Sequence, residues 1–227
     1  MTNLSKKIIP AIMPDTLQGI ALACDDVTEK VVWVQIDLMD NNFVDSVSWP
    51  YQDGIFALKE AEELRKLISE YRELSFEVDL MVNNPETIAP VFANAGVSRI
   101  IFHHRSLSDP HAIDRFEEFH PDIEIGIALH IDDDIDVIDQ YLPKISTIQC
   151  MGIENVGYQG QDFSEKVLEK IKGIREKYPD MEIQVDGGVN LDTIKKLSEA
   201  GAERFVSGSA VFNGSVEENI KSLEGLL

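Results

Sequence analysis

Apolar residues in this 227-residue chain fall into short runs rich in Val and Ile, which alternate with longer stretches where apolar positions recur every three or four residues. The short runs have the pattern of strands buried on both faces, and the long ones that of amphipathic helices. Strand-like runs occupy 7–13, 31–39, 75–82, 98–104, 124–130, 146–151, 182–188 and 204–210, and helical periodicity covers 54–72, 84–96, 164–179 and 190–201. The helical stretches carry their own punctuation. Asn84 and Asn190 are placed as N-caps, Pro85 at a first helical position, and Gly96 and Gly201 as helix ends.

No linker, repeat or low-complexity stretch interrupts this rhythm, so residues 1–227 read as one domain. Eight strand–helix units in this length predict the α/β class and a small (β/α)8 TIM barrel with a closed, parallel, eight-stranded sheet. A doubly wound open sheet is the competing architecture. It should show a Gly-rich turn after the first strand, which IMPDTLQG does not supply.

A barrel of this kind projects reactive side chains from the C-terminal ends of its strands. Period-2 alternation puts Gln35, Asp37 and Met39 on one face of the second strand, with Asp79 and Met81 on one face of the third. Asp186 ends the seventh strand, His103 and His104 the fourth, and His130 the fifth. If these faces point inward, carboxylates converge at the barrel mouth and repel one another. Such a cluster keeps a proton, gathers a cation, or meets water. An all-oxygen set of Asp37, Asp79, Asp186 and Gln35 suits Mg, Mn or Fe better than Zn, and a metal-free site is the other expectation. His103 and His130 are candidate accessory groups that restore positive charge or exchange a proton.

DGG at 186–188 and SGSA at 207–210 end the last two strands, where barrels of this class commonly bind phosphate. Gly187, Gly188, Gly208 and Ser209 are therefore candidate phosphate contacts. The loop NVGYQGQDF at 155–163, with Gly157 and Gly160, has the composition of a lid.

Composition narrows the partners. The formal charge is −21, and 44% of residues are hydrophobic. This excess of acid disfavours nucleic acid and anionic membrane, while leaving room for a small anion held by backbone N–H groups. Cys24 and Cys150 are the two cysteines and are read as small buried residues. The N-terminal MTNLSKKIIP holds no long apolar stretch, so a cytoplasmic, disulfide-free protein is expected.

The chain resembles the ribulose-phosphate 3-epimerase family almost end to end. The likeness rests on IPAIM, IDLMDNNFV, VDLMV, GIAL, GYQGQDF, IQVDGGVN and GSAVF, in that order. The resemblance implies a (β/α)8 barrel that epimerises a ketose phosphate such as D-ribulose 5-phosphate to D-xylulose 5-phosphate. It implies Asp37 and Asp186 as the paired acid and base, and Met39, Met81 and Met151 as an apolar shield over the planar intermediate. A homo-oligomer is expected. The family holds its divalent metal on two histidines and two aspartates. Here Gln35 and Asp79 stand at the two histidine positions, Ala11 replaces a substrate-touching serine, and His130 replaces an asparagine. These departures motivate an alternative, a repurposed or non-catalytic sugar-phosphate binder that has lost the metal site. An aldolase or decarboxylase-type synthase is disfavoured, because no lysine ends a strand to form a Schiff base.

Overall fold

The computed structural model describes residues 7–52, 54–109, 111–158 and 160–227. Eight parallel strands close a barrel: β1 (Ile8–Ile12), β2 (Trp33–Met39), β3 (Ser75–Met81), β4 (Arg99–His103), β5 (Glu124–Leu129), β6 (Thr147–Met151), β7 (Glu182–Asp186) and β8 (Arg204–Ser207). Each strand pairs with its neighbours in chain order, and β8 returns to β1 with Ile9 beside Val206. Every strand lies within its expected run.

Two elements depart from the expected rhythm. The helical pattern at 54–72 yields a helix only over Leu58–Glu70, because Tyr51–Gln52 and Ile55–Phe56 first pair as a short antiparallel hairpin around Gly54 at positive φ. After β5 the crossover is a 3-10 turn at Ile135–Gln140 rather than an α-helix. Its acidic lead-in explains this, since the Asp134 carboxylate accepts from the Asp136 N–H and draws the chain into a tight turn. The other crossovers are helical, including Leu17–Val27, Ala89–Ala95, Ala112–Phe119, Lys166–Lys177, Ile194–Ala200 and Val216–Glu224.

Helix ends follow from local chemistry. Gly96 and Gly201 close their helices at φ 97° and 118°, as their positions suggest. Asn84 sits before Pro85 in the left-handed region with no capping bond from its side chain. Asn190 lies three residues before the N-cap Thr193 and caps the turn that leads into the helix: its Oδ1 accepts from the Asp192 N–H, its carbonyl from the Ile194 N–H, and the helix itself starts at Ile194.

The two faces of the barrel differ in chemistry. Outward side chains such as Val34, Ile36, Leu38, Phe76, Val78, Ile100, Phe102 and Ile148 form one apolar layer under the helices. Burial of this layer supplies the main drive to fold. Both cysteines belong to it, and burial pushes their thiols up to about 12, so neither is a nucleophile.

The inside of the barrel is mixed: apolar patches around Ile9, Ala11 and Val206 and around Ile101, Ala128 and the methionines flank a buried polar network that branched apolar residues usually replace. Glu77 is fully buried and takes Arg99 and Arg204 at 3.3 Å each. Both guanidinium groups stack on the Trp33 ring, at 4.8 and 4.5 Å from its centroid. Gln35, Gln149 and Gln184 fill the level above. Because breaking a buried ion network strands charge, Glu77→Leu is expected to cost about 3–5 kcal/mol of unfolding free energy, read by urea denaturation. A loss below ~1 kcal/mol would show that water satisfies these arginines instead.

Candidate active site

The register of β2 against β3 sets Asp37 beside Asp79 and Met39 beside Met81, while β6 against β7 sets Met151 beside Asp186. Pleating turns all six inward at the C-terminal mouth. One oxygen from each of Asp37, Asp79 and Asp186 lies within 4.8 Å of the others. Asp37 and Asp79 are buried, and Asp186 keeps a partly open edge.

Donors reach every member of this cluster. The Gln35 Nε2 donates to Asp37 Oδ1 and to Asp186 Oδ2, each at 2.8 Å. Gln149 Nε2 donates to Asp79 Oδ2 at 2.9 Å, and His103 Nε2 lies 2.9 Å from Asp79 Oδ1. Gln35, expected as a ligand oxygen, thus presents its amide nitrogen to the carboxylates and turns its oxygen toward Gln184. His103 points into the barrel, where its Nδ1 lies 3.2 Å from His130 Nε2 and both rings pack on Phe43. His104 points outward to the Tyr141 hydroxyl, and Arg105 to Asp133.

Magnitudes show how this cluster settles. Three ionised carboxylates within 4.8 Å repel by roughly 10 kcal/mol in total at an effective dielectric of about 20. The three amide N–H bonds return roughly 4–9 kcal/mol, before any cost of desolvation. A retained proton or a cation closes the difference. Burial first, then the charges of Asp186 and Asp79, pushes Asp37 well above the usual carboxylate range, against the opposing bond from Gln35. Burial and then Asp79 lift Asp186 to about 7. Burial, with His103 and Arg105 behind it, lowers His130 to about 4, so His130 is neutral at pH 7.

A cavity of about 240 Å³ opens above the cluster. Its walls include Asp37, Asp186, Met81, Met151 and Ala11 at one end, and Gly187, Gly188, Gly208 and Ser209 at the other. Gly157, Tyr158 and Gly160 of the expected lid border it as well, whereas Gln159 lies outside the described residues. Met39 packs with Met81 and Met151 just behind the wall. At Gly187 and Gly188, φ is 92° and 71°, and a Cβ would stand 2.7 Å from Ile153 and 2.9 Å from Phe163. Positive φ and this close packing both call for glycine at these two positions.

The loop after β2 is braced from below. Asp40 accepts from the N–H groups of Asn42, Phe43 and Asn83, and Ser48 ties the backbone at Asp37 and Met39. Tyr158 donates to the Asp45 carbonyl, joining this loop to the lid at 2.6 Å.

The sequence model of the ribulose-phosphate 3 epimerase family matches residues 7–212. The chain belongs to this family. A ribulose-phosphate 3-epimerase of Schizosaccharomyces pombe is 31% identical over 192 residues, covering 84% of this chain and 79% of that protein. One of Candida glabrata is 29% identical over 215 residues, covering 92% and 86%. Among solved structures, KGPDC from Streptococcus mutans superposes with a TM-score of 0.72 at 18% identity, covering 97% of this chain and 96% of that one. A 3-keto-L-gulonate-6-phosphate decarboxylase from Vibrio cholerae gives a TM-score of 0.73 at 12% identity, covering 97% and 96%. At such identities the structures share the fold. No helix among the described residues is long and apolar enough to cross a membrane.

Glu77, Arg99, Gln149, Gln184 and Arg204 belong to the same polar interior and were not singled out as site residues from the sequence. Alternation carries their signal: Glu77 lies two before Asp79, and Gln184 two before Asp186. Polar residues at even spacing from an inward aspartate also face inward.

A carboxyl whose folded pKa is raised favours the fold fully below its unfolded pKa, near 4, and loses that contribution as pH rises through the folded value, about 7 for Asp186. Asp186→Asn is therefore expected to raise thermal stability at pH 8 by up to about 4 kcal/mol and to leave it unchanged at pH 3.5. Calorimetry at the two pH values checks this; an asparagine variant less stable at pH 8 would contradict it.

Proposed function

We propose that the protein is a sugar-phosphate 3-epimerase that interconverts D-ribulose 5-phosphate and D-xylulose 5-phosphate. The observation that carries this reading is the pair Asp37 and Asp186, both lifted in pKa and bridged by one amide at the floor of the cavity. Inversion at a carbon requires one group to remove a proton from one face and another to return a proton to the opposite face. A pair that shares one proton is poised for both roles. The planar enediolate would lie against Met81 and Met151, which keep water from the carbon being inverted. Its phosphate would rest on the backbone of Gly187, Gly188, Gly208 and Ser209, which line the same cavity.

The family is metal-dependent, and the three carboxylates Asp37, Asp79 and Asp186 fit a hard divalent cation such as Mg, Mn or Fe better than Zn. When bound, such an ion supplies positive charge to the oxygens at C2 and C3. His103 and Gln149 hold Asp79 in place from beneath. A binder without turnover is the second reading, favoured by the Gln35 NH2 group that faces the carboxylates.

Incubation with D-ribulose 5-phosphate in deuterated water, with and without Mg, Mn, Fe, Co or Zn salts, separates the two. Deuterium entry at C3 with formation of D-xylulose 5-phosphate is expected. Asp37→Asn and Asp186→Asn should each lower the rate by ~10²–10⁴-fold. Absence of exchange with every cation, alongside retained binding of the sugar phosphate, would replace the epimerase reading with the binder.

A further inference from the structure

Four buried side chains connect the barrel floor to its mouth, and their hydrogen bonds run in one direction. A glutamine amide is nearly symmetric in shape, yet one end only accepts and the other only donates. An ionised carboxylate selects the NH2 end, but a carboxyl that keeps a proton accepts either end, so once the cluster holds a proton the other neighbours of Gln35 and Gln149 decide the orientation. Arg204 sets it, because a guanidinium offers donors alone. Its Nε donates to Gln184 Oε1 at 2.9 Å, so the Gln184 NH2 group faces the other way. The two N–H donors of that group point to Glu77 Oε1 at 2.7 Å and Gln149 Oε1 at 2.8 Å, with Gln35 Oε1 sharing them at 3.3 Å, so every atom facing them is an acceptor. Both glutamines then have their nitrogens left for the mouth. Gln149 Nε2 reaches Asp79, and Gln35 Nε2 reaches Asp37 and Asp186.

Arg204 is itself fixed. Glu77 lies at 3.3 Å, Glu182 at 3.4 Å, and the face of Trp33 at 4.5 Å. Gln35, Gln149, Gln184 and Glu77 are each fully buried, so no water competes for their amide ends. Turning Gln184 over would point its NH2 group at a guanidinium and its oxygen at three oxygens.

We propose that Arg204 and Gln184 are positioning residues of the acid–base site, which fix the amides of Gln35 and Gln149 so that N–H donors, not carbonyl oxygens, face Asp37, Asp79 and Asp186. The Gln149 branch, at 2.8 Å, is the tighter link to Gln184, and the Gln35 branch, at 3.3 Å, is the weaker one. Its kinetic consequence rests on the proposed epimerase reading, whereas the orientation of the amides does not.

Neutron diffraction from the perdeuterated protein reads that orientation directly, since deuterons distinguish ND2 from oxygen. Two deuterons on the Gln35 atom nearest Asp37 and Asp186, with its oxygen toward Gln184, are expected. Oxygen facing the carboxylates overturns the proposal without need of a variant. In the kinetic arm, Gln184→Met and Gln184→Glu remove the donor while keeping similar volume. Each should lower kcat for D-ribulose 5-phosphate by ~10–100-fold, with KM within about twofold. A structural role alone would lower thermal stability and leave kcat per folded molecule unchanged, and that result overturns the proposal. If the wild-type protein exchanges no deuterium at C3, the epimerase reading fails and the neutron arm alone decides the relay.

Discussion

Three carboxylates converge at the mouth of a closed barrel, within 4.8 Å of one another, two of them buried. Everything beneath them answers that repulsion. Donors from Gln35 and Gln149 reach all three, and those donors are aimed by Gln184 and Arg204 farther down. Glu77 then balances the two arginines that the relay brings inside. The polar interior is thus one connected network, in which each buried group has a partner.

The division of labour between barrel faces follows from this. The outward faces of the strands carry the large apolar layer that holds the helices, while the interior keeps only small apolar clusters. The inside is free to specify chemistry, at a cost in stability that raised carboxyl pKa values make measurable. The last two strands end in glycines whose backbone lines the same cavity as the acid cluster.

Much of this is legible in the chain because strand alternation is strict. Asp37, Asp79 and Asp186 could be placed on inward faces from spacing alone, and the register confirms them as neighbours. Asp40, on the opposite pleat from Asp37, proves to be a loop strut that collects three backbone N–H groups. Alternation fails where a strand ends. Of the adjacent His103 and His104, one enters the barrel and the other meets Tyr141, and nothing in the local sequence separates them. The start of the helix at Leu58 was hidden for a different reason: Ile55 and Phe56 continue the helical period in sequence, yet they pair across a turn with Tyr51 and Gln52. The polarity of the glutamine amides lies further from reach, since it depends on contacts such as Arg204 to Gln184 and Gln184 to Gln35, the latter 149 residues apart.

The central claim is that Asp37 and Asp186 share one proton near neutral pH. Carbon-13 NMR titration of their side-chain carboxyl carbons, with aspartate labelled and the two signals assigned by substitution, tests it most directly. The expected result is a titration step of Asp186 close to pH 7 with Asp37 titrating well above the ordinary carboxylate range, so that the pair is not fully ionised below pH 7. Two independent steps near 4, at the values of ordinary aspartates, would contradict the shared proton and with it the acid–base pairing.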